Sequence, residues 1–362
     1  MNTKRAAALF LALMLLLGAG FALAQETTVK VAGKSVSATT QDLVLDGVSL
    51  RDESQLIKDL KKLPNLKSVS LEGTGLRAKH LSNLFDAFPG VMFLAGFDLF
   101  GVPVHTTMTE VDLGEAEVTG YQTFGWAINA MPNLTHMKAF GATLTQRRYE
   151  EITQKHPALH LECTLQFLRY SLRTDATAFS TRKGNEAPFW KNRDFDILKY
   201  VPGLKALDLG HNRVSDLSFL RQWPDLKILI MADNAIKDLS VIGELSELEY
   251  LELFMNPFTD ITPLTKLTKL KDLNLSWTAV ADVMPLAEMT WLERLWITQI
   301  KPRLPEGQVD ALRAALPNTE INDTAWLSTQ GGWRDHPRYY VQANIFGTRI
   351  YRDWDDPAPE TK

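Results

Sequence analysis

The chain has 362 residues, of which 45% are hydrophobic and 23% charged, and its formal net charge is −4 at pH 7. That balance supplies no basic footprint for nucleic acid or anionic lipid. A single cysteine, Cys163, excludes an internal disulfide, so the fold has to rest on its apolar core.

Residues 1–24 read as a secretory signal peptide. A basic start (MNTKR) leads into an apolar run that closes on Ala22-Leu23-Ala24, which places cleavage after Ala24. The alternative for the same run is a membrane anchor. No later run reaches membrane length, so the mature chain from Gln25 is expected to be exported without stable insertion in the bilayer. Gln25, not a cysteine, stands directly after the cleavage point, so no lipid attachment there is expected. Residues 25–40 are small and polar, a lead or a first edge strand.

From 41 to 203 the sequence reads as irregular repeats with two inserted extended or loop segments. Leu43 and Leu45, then Leu66, Val69 and Leu71, mark short strands, and His80 to Phe88 has helical spacing. A longer repetition underlies them. "PGVMFLAGFDL" at Pro89 matches "PALHLECTLQF" at Pro157 with a shift of 68, and the match resumes at Met131 and Val201 with a shift of 70. Cys163 shares its strand parity with Leu159, Leu161, Leu165 and Phe167, which predicts a buried, inert thiol. The inserted phrase after Tyr170 carries Arg173, Thr174, Asp175 and Thr177. Arg173 and Asp175 form a secondary candidate ligand site, although Thr and Asp holding an extended ribbon is the favoured reading. The charged stretch 182–196 is expected to be a surface loop packed by Phe189, Trp190 and Phe195.

Between 204 and 325 one 22-residue phrase returns in step. Leu204, Leu226, Leu248, Leu270 and Leu292 open its copies. The fourth and sixth positions (Leu207 and Leu209; Leu229 and Met231; Leu251 and Leu253; Leu273 and Leu275; Leu295 and Ile297) alternate with variable residues, as in a strand with one buried face. The ninth position reads Asn212, Asn234, Asn256 and Thr278, a column suited to bonding backbone that a tight turn leaves unpaired. Val214, Ile236, Phe258 and Val280 follow. Then come Asp-aliphatic pairs at Asp216, Asp238, Asp260 and Asp282. No copy can bury its apolar face alone, so the copies must stack.

Phrases such as "LKALDLGHNRVSDLSFL" resemble the short 22-residue leucine-rich repeats of the internalin-like bacterial surface and secreted proteins. The resemblance implies an α/β leucine-rich-repeat solenoid, with a curved parallel sheet on the concave side and a helical or irregular convex side. It also implies a bacterial, secreted or cell-surface setting, but it is silent about ligand; the exposed positions, not the resemblance, carry the expectation of a monomer that binds an unknown protein or surface ligand. Residues 326–362 leave the repeat and are rich in aromatics, which suits a C-terminal cap followed by a tail.

No nucleophile elbow, phosphate loop, dinucleotide fingerprint or metal-ligand spacing appears, so no catalytic residue, cofactor or metal is expected. His211 and Asp233 share a column and can touch. The nearest serine identified on that face, Ser276, sits three rungs from Gly210, roughly 14 Å away, which excludes a Ser-His-Asp triad. Asp208 and Glu252 lie two rungs apart, roughly 10 Å at the backbone. That spacing carries the alternative of a carbohydrate-active or glycan-binding envelope protein, weakened because an open sheet does not desolvate a carboxyl. The favoured site is the concave sheet itself, at Ile228, Ile230, Tyr250, Glu252, Phe254, Met255, Asp272, Asn274, Trp277, Arg294 and Trp296. Aromatics, Met and Arg are the composition of interface cores. The competing expectation is that the chain's own loops or C-terminal segment cover this face.

Overall fold

The computed structural model describes residues 27–181 and 189–356. The signal sequence, the cleavage point at Ala24, part of the 182–196 loop and the last residues of the tail lie outside the described residues. The rest forms two compact units, one running to Ala142 with Ile152–Leu161, the other made of Thr143–Glu151 and the chain from Glu162.

In the first unit the polar lead is a hairpin, β1 (Thr28–Val31) with β2 (Lys34–Ser37). Ala32 and Gly33 both take positive φ, the two-residue turn whose twist suits paired strands. β3 (Asp42–Val44), β4 (Ser68–Ser70) and β5 (Met92–Leu94) make a parallel sheet in which Leu43, Val69 and Phe93 stand in one buried column. Each strand is followed by longer chain than in the later repeats, and helices fill it: α1 (Ser54–Leu60) between β3 and β4, α2 (Ala78–Ala87) between β4 and β5. Leu81, Leu84 and Phe85 of α2 are buried, with Phe85 edge-on to Phe93 at 5.2 Å. A second hairpin, β6 (Gly96–Leu99) with β7 (Val102–His105), leads to β8 (Glu110–Asp112) and α3 (Tyr121–Asn129). β9 (His136–Thr145) pairs with β8 in parallel. α4 (Gln146–Lys155) follows.

The 68-residue repetition has a structural counterpart. β10 (His160–Phe167) and β11 (Tyr170–Arg173) pair from Thr164 with Arg173 to Phe167 with Tyr170, as β6 and β7 pair from Gly96 with His105 to Leu99 with Val102. Each hairpin is closed by a buried threonine. The Oγ1 of Thr106 accepts from Ala95 N at 3.1 Å, and that of Thr174 from Cys163 N at 3.0 Å. Cys163 is fully buried, and burial pushes its thiol up to about 12, so it is no nucleophile.

The second unit holds a sheet of seven strands, all parallel: β12 (Ala178–Ser180), β13 (Ala206–Asp208), β14 (Ile228–Ile230), β15 (Tyr250–Glu252), β16 (Asp272–Asn274), β17 (Arg294–Trp296) and β18 (Glu320–Asn322). Leu207, Leu229, Leu251, Leu273 and Leu295 face one another rung by rung and are fully buried. The other side of each repeat closes with short 3-10 turns, or, before β18, with α5 (Gln308–Ala315). Asp216, Asp238, Asp260 and Asp282 begin these turns by accepting the backbone N–H two residues on, at 2.8–2.9 Å. Phe167, Tyr170, Phe179, Trp190 and Phe195 cluster beside the first rung, with Phe167 and Phe179 at 5.2 Å and Tyr170 and Trp190 at 5.7 Å.

The asparagine column does what its chemistry suggests. Asn256 donates to the carbonyls of Met231 and Leu253 at 2.8 and 3.0 Å, and its Oδ1 accepts from Ile236 N at 3.1 Å. The residue before it bears the strain. His211, Asp233, Met255, Trp277 and Gln299 all take φ of +51 to +59°, the left-handed region that a non-glycine residue enters at about 1–2 kcal/mol. The eighth position is therefore a turn at the strand end, not a strand residue. Leu251→Ala should cost about 2–5 kcal/mol, as truncation of a buried leucine does. Asn256→Ala should cost about 1–3 kcal/mol by orphaning buried backbone groups. Denaturant midpoints equal to wild type for both would refute this register.

Candidate functional site

The face opposite the leucines carries two columns. One runs Ala178, Ala206, Ile228, Tyr250, Asp272, Arg294 and Glu320; the other runs Ser180, Asp208, Ile230, Glu252, Asn274, Trp296 and Asn322. This face is not open. Of the eleven side chains expected to meet a partner, nine are buried: Ile228, Ile230, Tyr250, Glu252, Phe254, Asp272, Asn274, Arg294 and Trp296. Only Met255, 45% exposed, and the half-buried Trp277 remain accessible. The aromatic, interface-like composition is a second core, covered by the chain's own C-terminal segment.

After β18 the chain turns back over the sheet. Trp333, in a short 3-10 turn, and Ile345, on α6 (Pro337–Thr348), join Ala178, Ala206, Ile228, Tyr250 and Trp296 in one apolar cluster. Trp333 meets Trp296 at 5.2 Å and Tyr250 at 5.5 Å. The segment ends beside the first rung, where the carbonyl of Arg349 accepts from Thr177 N and Ala178 N at 3.2 Å.

Polar groups key the segment in place. Asp272, with no exposed surface, accepts from Arg294 Nη1 at 3.3 Å and from Arg338 Nε and Nη2 at 2.5 and 3.1 Å. Arg294 in turn donates from Nη2 to the carbonyls of Gly332 and Trp333, both at 3.1 Å, and its guanidinium lies over the rings of Trp333 and Trp296 at 4.7 and 5.0 Å. Asn274 Nδ2 donates to Ser328 O at 2.7 Å, and Trp296 Nε1 to Gln330 O at 2.8 Å. The residues that looked like a binding epitope are hydrogen-bonded to the chain itself.

Glu252 is a buried carboxyl held between two aromatic donors. Burial pushes its carboxyl up from the usual range, against the hydrogen bonds from Tyr250 Oη and from Trp333 Nε1 at 2.9 Å that pull it down. An acid raised in the folded state holds more protons there than in the unfolded chain. Its contribution to stability is therefore present below the unfolded value of about 4.3 and falls as pH rises through the folded value. Glu252→Gln should flatten that decline. An unchanged slope of unfolding free energy between about pH 4 and 8 would assign the titration to another group.

Where α6 passes over the first rungs a cleft of 410 Å³ remains, lined among others by Ser180, Asp208, His211, Glu252, Arg334 and Gln342. Two expectations change here. The acid pair Asp208 and Glu252 borders a partly enclosed, desolvating space and not an open sheet. The serine nearest the acids is Ser180, one rung before Asp208, whose Oγ donates to Asp208 Oδ2 at 2.6 Å. His211 Nδ1 meets Asp233 Oδ2 at 2.9 Å, as their shared column predicts. Gly210 N also donates to Asp208, at 2.9 Å. The secondary candidates Arg173 and Asp175 form an exposed bidentate pair at 2.7 and 2.9 Å beside the β10–β11 hairpin. Arg173→Ala should therefore change stability little. In the first unit His136 and His160, unlinked by any sequence spacing, bring their rings within 4.6 Å.

The 22-residue register, the leucine core and the asparagine column define an α/β leucine-rich-repeat solenoid. Among solved structures the chain is similar to an internalin (inlF) from Listeria monocytogenes at 17% identity, covering 82% of this chain and 86% of that one with a TM-score of 0.36. It is also similar to internalin C2 of the same species at 18% identity, covering 67% and 92% with a TM-score of 0.34. A leucine-rich-repeat protein of Leptospira interrogans matches at 14% identity, covering 79% and 96% with a TM-score of 0.34. No protein-family model matches the chain, and no curated protein matches it in sequence.

Proposed function

We propose that this is an exported, non-catalytic bacterial binding protein that meets a protein or surface ligand along the rim formed by the strand ends. The observation that carries the reading is the fate of the sheet face. Its centre is filled by the C-terminal segment, whereas the eighth-position column stays accessible, with Met255 45% exposed and Trp277 half-buried beneath Lys301 at 5.3 Å. Trp326 and Leu327, 70% and 45% exposed, lie between Asn322 and the Ser328 carbonyl that Asn274 holds. Exposed aromatics and methionine of this size are what interfaces use as anchors. The non-catalytic reading is supported by the burial of Glu252, whose carboxyl is engaged by Tyr250 and Trp333.

Trp277→Ala and Met255→Ala should each weaken capture of a partner from the exported or surface fraction by about 2 kcal/mol in a chain whose unfolding midpoint is unchanged. Full affinity in the folded double variant would move the site off the rim. N-terminal sequencing of the exported protein should begin at Gln25; an intact Met1 would remove the export part of the proposal.

A further inference from the structure

α6 lies over the sheet face, where Ile345 joins the apolar cluster, and a titratable side chain starts the helix. His336 is its N-cap: the backbone there is extended, with φ −73° and ψ 141°, and Pro337 opens the helix with its fixed φ and no N–H to satisfy. His336 Nδ1 accepts from Arg338 N at 3.3 Å, and His336 O accepts from Tyr339 N at 2.9 Å. The first of these bonds requires a neutral ring. Imidazole offers one acceptor nitrogen and imidazolium offers none.

The surroundings make the same demand. The charged groups that act on His336 are Asp272 on β16, Glu293 and Arg294 at β17, and Arg338 on α6 itself. Both acids are already engaged, Asp272 by Arg294 and Arg338, and Glu293 by Arg338 Nη2 at 2.7 Å. The turn before the cap brings Asp335 and Arg334, the latter over the Tyr339 ring at 5.7 Å. A proton on His336 therefore adds a third cation beside two guanidiniums, at the positive end of a helix dipole. Half-burial and those guanidiniums hold the ring below the usual histidine range, while Asp272 and Glu293 pull it up.

We propose that His336 is an acid-released latch: its protonation breaks the cap of α6, and the helix lifts from the sheet face as the solution acidifies. A histidine kept neutral by the fold binds fewer protons when α6 is seated than when it is free. Its contribution is present above the free value of about 6.5 and is lost as pH falls below it toward the seated value. Glu252 has the opposite sign, since burial raises its carboxyl and acid stabilises the cover through that group. Released, the segment uncovers Ile228, Tyr250 and Trp296, an apolar face of interface composition. The latch does not depend on where along the rim a partner binds.

The test is hydrogen exchange of the α6 amides in the mature chain between pH 7.5 and 5.0, corrected for the intrinsic pH dependence of exchange. His336→Asn is the comparison, because it keeps a capping oxygen and does not titrate. It should hold α6 seated at pH 7.5. The opening constant of the wild type divided by that of His336→Asn, a ratio from which the common contribution of Glu252 cancels, should rise at least threefold as pH drops across that interval. A free histidine at about 6.5 sets a ceiling of about thirtyfold. If His336→Asn unseats the helix at pH 7.5, His336→Ser supplies the cap by a second side chain and takes its place in the ratio. A ratio that falls or rises less than threefold would overturn the proposal. Unseating at pH 7.5 in both variants would overturn it as well, since the ring would then hold the segment by something other than its acceptor nitrogen.

Discussion

Replacing Asp272 with alanine is expected to cost about 3–5 kcal/mol of unfolding free energy, because it strands two guanidinium groups against a covered face. Arg294 is 3% exposed and draws its ionic partner from Asp272, which it shares with Arg338. Glu320, 3.6 Å from Arg294 Nε, and Glu293, 2.7 Å from Arg338 Nη2, are more exposed and compensate only in part. The carbonyl bonds of Arg294 to Gly332 and Trp333 would survive in geometry but not the charge balance. Asp272→Asn, which keeps the shape and loses the charge, should fall between. Unfolding free energies within about 0.5 kcal/mol of wild type, the scatter of ordinary surface changes, would show that this acid does not hold the segment.

Trp333→Ala should be comparably damaging, about 3–5 kcal/mol, for reasons of volume more than charge. The ring is fully buried among Tyr250, Trp296 and Arg294, and its Nε1 is one of two donors to Glu252. Removing it leaves a cavity in the second core and a buried carboxyl with Tyr250 as its remaining donor. The leucine core behind the sheet does not depend on it. The variant should therefore keep its far-ultraviolet circular dichroism while binding a hydrophobic dye at the uncovered face. A variant as stable as wild type that binds no dye would mean the segment covers the sheet without Trp333.

The repeat was legible because burial there is periodic. Leu207, Leu229, Leu251, Leu273 and Leu295 recur at a fixed interval, and a parallel stack is what brings equal positions into contact. The asparagine column was legible from chemistry, and the 68-residue shift from the matching phrases at Pro89 and Pro157, whose hairpins close on Thr106 and Thr174. The eighth-position turn was hidden because His211, Asp233, Met255, Trp277 and Gln299 share φ but no side-chain type, and no glycine marks the place. Ser180 was missed because its strand precedes the regular array, where the leucine phrase is incomplete.

The covered face is the larger lesson. Tyr250, Phe254, Trp296 and Arg294 have the composition of an interface whether the other surface belongs to a partner or to the same chain. What distinguishes the two cases is the pairing of Asp272 with Arg338 and of Glu252 with Trp333, contacts across 66 and 81 residues that no local pattern encodes. The C-terminal aromatics suit a cap, with cover of this face as the competing expectation; Trp333 and Ile345 follow the second, because the unsatisfied apolar columns are there.

The central claim is that the C-terminal segment is built into the sheet face and does not merely rest on it. A double-mutant cycle on Asp272→Asn and Arg338→Met, read by equilibrium unfolding, tests it most directly, since the two side chains meet only if α6 is seated. The account predicts a coupling energy of about 0.5–3 kcal/mol, as for residues in direct contact. Strict additivity of the two single substitutions would contradict it.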